Sequence, residues 1–482
     1  MNSLDKKYIV GTIIVGLILL SLEITAYSVD DNYSSFIFYE ERKIITELEF
    51  SSSEINENDS KIMHIKIFDE TNNEKTRNTT FFMTITHGDV DILRKYFFVN
   101  NEELTINISS DPVGKVKVFG TQQYEFDAYV MSDSSPVKIV GPFLIPEEEY
   151  TIKIKLKTID NIGNIVSKLE PFEFYIETDK LTWNNSANLS SVDKNDSIPS
   201  VNFLEFEKNQ NANLNNYGFR GPDIDPANSK KLNRIILVGG STMYGAGATS
   251  DETTIAGNLQ QIINNSFPLN NFEVINAGIQ GINSYAEITI IEDIVELNPS
   301  IVLVLDGWND LQDDHDPISI YNNWKKMCKI GINHNFNTII NLQPIAGFAD
   351  KNLSEKEKHY SVSAVDKTGT KLISKISNYN DYGKNLAKIT DKCVTEDLRN
   401  IFDDVEQEVY LDEGHLNDYG NFLVAEKFFN LHGSYFISNI NNATIDNKNI
   451  EENIVLPLSF QELISYYKTP NFIKQIITNM LS

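Results

Sequence analysis

From residue 231 onward, short apolar runs alternate with amphipathic stretches of helical period, and this alternation restricts the fold more than any other feature of the chain. Arg234-Ile-Ile-Leu-Val238 is a continuous apolar run ending in Gly239-Gly240, the pattern of a strand buried on both faces. Asp251 to Asn264 has helical spacing, Phe272-Glu-Val-Ile275 reads as a second strand, and Ser284 to Leu297 as a helix closed by Pro299. Ile301-Val-Leu-Val-Leu305 and Asn337-Thr-Ile-Ile-Asn-Leu342 are further strands, with a late helix over Gly420 to Leu431. Strands separated by helices line up in parallel, with the helices covering both faces. Residues 216–439 are therefore expected to form an α/β three-layer domain around a parallel sheet.

Reactive groups in such sheets sit at the carboxyl ends of the strands. Three strands here end in polar turns: Gly239-Gly-Ser-Thr-Met-Tyr-Gly245, Asn276-Ala-Gly278 and Asp306-Gly-Trp-Asn-Asp310. A fourth polar element, Asp412-Glu-Gly-His415, precedes the late helix. A serine hydroxyl is a poor nucleophile until a base takes its proton, and that base needs an acid to fix its tautomer. Ser241, His415 and Asp412 supply these roles, since Asp and His three residues apart on one turn can reach a common sheet edge. A tetrahedral oxyanion needs preorganised donors. The backbone N–H groups of Ser241 and Gly278 and the side-chain amide of Asn309 are the expected set, with glycine at 278 leaving room for the substrate. Each piece alone is a tight turn or a surface loop; the order of the four is what carries weight. Arg220 reads as an anchor of its segment rather than a partner for a substrate anion. Asp310 and Asp313-Asp-His-Asp316 read as a solvated loop at the mouth of the site rather than a cation holder, and Trp308 as a pocket wall or a packing residue.

These blocks resemble the SGNH (GDSL-type) hydrolases. The matching segments are Gly239 to Gly245, Val274-Ile-Asn-Ala-Gly278, Leu305-Asp-Gly-Trp-Asn-Asp310 and Asp412-Glu-Gly-His-Leu416, with Asn216-Tyr-Gly-Phe-Arg-Gly-Pro222 as a lead-in. The resemblance covers roughly residues 216–435. The first block has Gly-Gly-Ser-Thr in place of Gly-Asp-Ser-Leu, which leaves the hydroxyl untouched. It implies a serine esterase with nucleophile Ser241, an Asp412–His415 pair and an oxyanion hole of Ser241, Gly278 and Asn309. No Gly-x-Ser-x-Gly elbow surrounds Ser241, which separates the chain from the α/β-hydrolases. No cofactor is expected. His64, His87, His334, His359 and His432 show no ligand spacing, so no metal is expected either. Loops over 312–336 and 344–400 are expected to wall the pocket.

The first half of the chain reads differently. Between residues 36 and 178, segments such as Ile62-Met-His-Ile-Lys-Ile-Phe68, Thr79 to Thr86 and Tyr150-Thr-Ile-Lys-Ile-Lys-Leu-Lys157 approach strict alternation. Alternation puts one face in a core and the other in water. An all-β, Ig-like sandwich follows, serving as a spacer or interaction module. Residues 179–215, rich in Asn, Ser and Asp, read as a linker, and 440–482 as a second linker and a helical tail. Lys6 and Lys7 precede an apolar run that, counted from Tyr8 to Val29, is long enough for a membrane-spanning helix with the remainder of the chain outside the cytoplasm. A cleaved signal segment has the same basic start and apolar centre. Residues 1–30 are thus an anchor or a signal, and the protein is membrane-bound or secreted. Ten Asn-x-Ser/Thr sequons are compatible with an exported glycoprotein.

Composition excludes other classes. The 482 residues carry 41 basic and 68 acidic side chains, a net charge of −27, and a general nucleic-acid binder needs the opposite sign. Two cysteines rule out a disulfide scaffold. Cys328 and Cys393 pair in an exported protein or remain two buried thiols. The expected activity is hydrolysis of short acyl esters, acetyl among them, on a surface glycan or lipid. Acyl transfer onto cell-envelope glycans and a silent surface-binding module are the alternatives.

Overall fold

The computed structural model describes residues 27–29, 32–52, 60–71, 74–101, 103–123, 125–131, 137–178, 184–185, 212–227, 232–267, 272–359, 370–390 and 393–442. The expected apolar span lies outside the described residues except for its last three. These, Tyr27–Val29, form a strand antiparallel to the next one, with Tyr27 opposite Ser34, and are not helical. No helix among the described residues is long and apolar enough to cross a membrane. The expected helical tail over 453–482 also lies outside the described residues.

The N-terminal half is a β-sandwich that starts ahead of residue 36. One sheet runs from Asn32–Tyr39 through Arg42–Ser52, Ser60–Asp69 and Glu103–Ser110 to Val137–Gly141. The other contains Val90–Asn101, Arg77–His87, Glu149–Leu156 and Phe172–Glu177. Met63, Ile65 and Ile67 of the first sheet meet Phe81, Met83 and Ile85 of the second in a common core. The alternation expected along Thr79 to Thr86 is corrected at its second face. Phe82, Tyr96 and Phe98 point away from the sandwich core, yet they are buried against Phe219, Ile224, Ile279 and Ile282 of the following domain. Burial on both faces explains why Phe81-Phe82-Met83 and Tyr96-Phe97-Phe98-Val99 are unbroken apolar runs. Within the expected linker, Asn184–Asn185 pairs in parallel with Ser51 and Ser52.

The second half is a three-layer α/β unit. Its strands are β1 (Asn233–Gly239), β2 (Phe272–Gly278), β3 (Ile301–Asp306), β4 (Asn337–Leu342) and β5 (Val394–Asp397), all parallel and in the order β2-β1-β3-β4-β5. Successive residues of β1 face opposite layers. A short helix, α1 (Ser241–Tyr244), follows β1, and Ile235 and Leu237 pack with α2 (Ile255–Ser266) and the last helix, Asp418–Asn442. Ile236 and Val238 pack with α3 (Ser284–Ile294), α4 (Pro317–His334) and α5 (Thr370–Leu386). α2 begins four residues later than its spacing suggests, because the Thr254 side chain caps it by accepting from the Gly257 N–H at 3.0 Å. α4 and α5 correct the expectation of loops over 312–336 and 344–400. Asp316 caps α4, with Pro317 in its first turn, and Ile320, Trp324, Met327 and Cys328 form its buried stripe.

Cys328 on α4 and Cys393 just before β5 form a disulfide with Cα atoms 5.6 Å apart, settling the alternatives open in the sequence in favour of pairing. The bridge closes a loop with a sequence separation of 65, which contributes about 4 kcal/mol by restricting the unfolded chain. The double variant Cys328→Ser/Cys393→Ser should lose that amount in urea unfolding, and an unchanged midpoint would show that the bridge adds nothing.

Candidate active site

β1 ends in two glycines whose missing side chains decide what can approach Ser241. A Cβ at Gly239 would lie 2.6 Å from the Leu305 carbonyl oxygen, and one at Gly240 would lie 2.5 Å from Asn309 Nδ2. The strand end can therefore sit against β3 and the Asn309 amide only without side chains here. The chain then turns into a short helical segment, Ser241–Tyr244, with Ser241 buried at its start.

Three of the expected residues meet. His415 Nε2 lies 2.6 Å from Ser241 Oγ across 174 residues of sequence. His415 Nδ1 lies 2.5 Å from Asp412 Oδ2. The other carboxylate oxygen of Asp412 accepts from the backbone N–H groups of Gly414, at 2.9 Å, and His415, at 2.8 Å. Burial alone would raise the Asp412 pKa. The hydrogen bond and charge of the His415 ring, with the two backbone donors, outweigh it and hold the carboxyl below its ordinary value. An ionised Asp412 offers an acceptor to His415 Nδ1, and the opposite ring nitrogen is the one beside the Ser241 hydroxyl.

A triangle of hydrogen bonds ties the Ser241 turn to the His415 loop. Thr242 Oγ1 donates to the Gly414 carbonyl at 2.9 Å, and Gln343 Nε2 donates at 2.9 Å both to Thr242 Oγ1 and to that carbonyl. A Cβ at Gly414 would come within 2.8 Å of the Trp308 ring, so glycine lets the histidine loop close down on the site. Thr242 and Gln343 were not singled out from the sequence. Gln343 follows directly on β4, at the strand end where such a residue is expected, but it stands in no motif.

The oxyanion set is corrected at one position. Asn309 lines the pocket together with Gly240, Ser241, Thr242, Ile282, Trp308 and Gln343, and its Nδ2 donates to the Ile282 carbonyl. The second hydrogen of that amide is available to a negative oxygen beside Ser241. Gly278 is absent from the pocket lining. Its N–H donates to the Asn276 side chain at 3.0 Å, and its Cα packs so closely on the Met243–Tyr244 backbone that a Cβ would lie 2.2 Å from Tyr244 N. The glycine is required for packing, and the turn that reaches the pocket is the next one, where Gly281 adopts φ +78° just before Ile282. Arg220 is the anchor expected of it, donating to Asp251 Oδ1 at 2.7 Å and to the Gly245 carbonyl at 2.8 Å.

Beneath the pocket lies a layer of carboxyl groups, so Asp310 is buried and not part of a solvated loop. It accepts from the Ser284 N–H at 2.8 Å, from Ser284 Oγ at 2.6 Å and from the His315 ring at 2.8 Å. Asp306 accepts from Trp324 Nε1 at 2.7 Å and from the Gly307 N–H at 2.6 Å. Burial, and then the adjacent Asp310, push the Asp306 carboxyl well above its usual range. Glu287 on α3 is fully buried, and neither of its carboxyl oxygens has a hydrogen-bond partner among the described residues. No group of His, Cys, Asp and Glu side chains with the geometry to hold a metal ion occurs among the described residues.

No family model matches the sequence, and no curated protein matches it. Solved structures do. The chain is similar to the acetyl xylan esterase AlAXEase, at 20% identity over 41% of this chain and 98% of that one, with a TM-score of 0.32. It is similar to a member of the lipolytic G-D-S-L family from Veillonella parvula DSM 2008, at 16% identity over 42% and 98% of the two chains, with a TM-score of 0.30. A two-domain esterase active on acetylated mannans matches at 17% identity over 48% of this chain and 56% of that one, with a TM-score of 0.31.

Burial and the charges of Asp306 and Asp310 raise the Glu287 pKa well above the 4.5 of a free glutamate. The folded state then holds this proton more tightly than the unfolded chain does. Its contribution to stability is greatest below pH 4.5 and declines as pH rises towards the folded value, with a limiting slope of about 1.4 kcal/mol per pH unit. Glu287→Gln should therefore be more stable than the parent at pH 7 and equal to it near pH 4 in urea unfolding. A difference independent of pH would contradict a neutral buried carboxyl.

Proposed function

We propose that the chain is a serine hydrolase of SGNH type that cleaves carboxylic esters. The single observation that carries this reading is the approach of Ser241 Oγ, His415 Nε2 and Asp412, with Asn309 directed at the same pocket. In the first half-reaction Ser241 Oγ attacks the ester carbonyl carbon while its proton passes to His415 Nε2. The carbonyl π electrons move onto oxygen, where the Asn309 amide donates to the negative charge. The tetrahedral centre collapses, the C–O bond to the alcohol breaks, and His415 returns the proton to the departing oxygen. Water repeats the sequence on the acyl-serine, releasing the acid and restoring Ser241. Asp412 keeps its negative charge throughout and stabilises the imidazolium.

A short acyl group fits best. Gly240, Ile282 and Trp308 crowd the pocket beside Ser241, which is consistent with acetyl or a similarly small group. Placement outside the cytoplasm is supported by the Cys328–Cys393 disulfide, since such bridges persist in oxidising compartments, and by the basic-then-apolar start of the chain. Membrane attachment through residues 8–26 and a surface glycan as the alcohol complete the proposal.

Hydrolysis of p-nitrophenyl acetate tests the chemistry. Ser241→Ala should lower kcat by roughly four to six orders of magnitude, and Asn309→Ala by about 10²- to 10³-fold with KM little changed. Equal activity in Ser241→Ala removes the reading. With a glycan acceptor present, product analysis identifies whether water or a sugar hydroxyl takes the acyl group.

A further inference from the structure

The turn that carries Ile282 is held from outside its own domain. It leaves β2 through Ile279, whose N–H donates to the Gly239 carbonyl at 3.0 Å, and passes through Gly281 to the Asn283 cap of α3. Between these points the β-sandwich grips it. The Phe126 N–H donates to the Gln280 carbonyl at 3.1 Å, and Gln280 Nε2 donates to Asp127 Oδ2. The Phe126 ring is buried, 5.2 Å from the Tyr96 ring, in the core that contains Ile279 and Ile282. Both Phe126 and Asp127 adopt left-handed backbone conformations, at φ 60° and 51°. Two successive non-glycine residues in that region are unfavourable, and such geometry persists where the surroundings enforce it. Here the strained loop is what brings an N–H and a carboxylate to bear on Gln280.

The contact is one end of a longer seam. Tyr96 Oη donates to the Gly218 carbonyl at 2.8 Å, and Gly218, at φ +82°, is the one residue type that fits, since a Cβ would lie 2.4 Å from that hydroxyl. Arg94 pairs with Asp223 at 2.5 Å. The segment from Asn216 to Pro222 is thereby fixed between the two domains, and its Arg220 holds the turn after Ser241. Asp127 interacts electrostatically with Lys95, Arg220, Tyr129 and Tyr244. Partial burial pushes its carboxyl up to about 6 against the pull of Lys95 and Arg220.

We infer that the β-sandwich is part of the active-site framework: its Phe126–Asp127 loop fixes the Gln280–Ile282 turn, and through the Ile282 carbonyl sets the Asn309 amide against Ser241. Phe126, Asp127 and Gln280 are positioning residues, none of them touching the reacting atoms. The inference rests on the hydrolase reading for its readout. A displaced Ile282 carbonyl would let the Asn309 amide turn from the oxyanion, which impairs the transition state more than ground-state binding.

The test uses the full chain and p-nitrophenyl acetate. Asp127→Ala and Gln280→Ala should each lower kcat about 10-fold with KM within about twofold. Asp127→Asn, which keeps an acceptor oxygen for Gln280, should restore kcat to within about threefold of the parent. The Asp127→Ala/Gln280→Ala double variant should be no slower than either single one, because both remove the same contact. An unchanged kcat in Asp127→Ala, equal impairment in Asp127→Asn and Asp127→Ala, or additive losses in the double variant would each overturn the inference while the parent remains active. A parent chain that hydrolyses no ester would instead remove the hydrolase reading itself.

Discussion

The contact between His415 Nε2 and Ser241 Oγ joins parts of the chain 174 residues apart, and most of the second domain can be understood as what holds those two atoms together. β1 delivers Ser241 between β2 and β3, where the order β2-β1-β3 leaves a crevice at the strand ends. The histidine arrives on the loop before the last helix, whose regular structure is limited to one antiparallel bridge between Tyr410 and Leu416. That loop has few independent means of staying in place, so it borrows them. Asp412 closes it with two backbone hydrogen bonds, Gln343 and Thr242 seize the Gly414 carbonyl, and the Leu411 N–H donates to the His415 carbonyl at 2.9 Å. A side chain at 414 would collide with Trp308 and open the distance that proton transfer requires to be short.

Below this layer the domain accepts an electrostatic burden. Glu287, Asp306 and Asp310 are all buried within one region of α3 and the β3 end. Asp306 and Asp310 are well supplied with donors, from Trp324, Gly307, Ser284 and His315, and Glu287 is not. The arrangement ties the start of α3 and the Asn309 segment to the same carboxylate, because Asp310 lies one residue after Asn309 and receives both hydrogen bonds of Ser284. Rigidity at the Asn309 amide is obtained with groups that resist burial, and a neutral Glu287 lowers the repulsion among them.

Much of this was legible in the sequence because the signals were local. Continuous apolar runs such as Ile301 to Leu305 can hardly be anything but central parallel strands, and the polar residues directly after them fall at the sheet edge by construction. α4 announces itself with Asp316-Pro317 and an apolar stripe through Ile320, Trp324 and Met327, a signal obscured by the acidic residues before it. Gly278 misled for a physical reason. A glycine at a strand end marks a close backbone approach, and sequence does not say whether the approaching group is a substrate or, as here, the Tyr244 backbone. Gln343 and Thr242 lay beyond reach because their role exists only once two separate strand ends and the Gly414 loop have met.

The two-faced sheet of the sandwich was hidden in the same way, although its sequence carries the mark. Phe81-Phe82-Met83 and Tyr96-Phe97-Phe98-Val99 break alternation in a region where neighbouring strands keep it. An antiparallel sheet with one face in water alternates; one that has lost its water on both faces does not. The break therefore reports a second covering layer before any tertiary contact is known, and the layer that covers Phe82, Tyr96 and Phe98 is the one containing Ile279 and Ile282. A sandwich fastened this closely to the turn beside Ser241 is a poor candidate for a detachable spacer. Its outward face belongs to the core of the domain it supports.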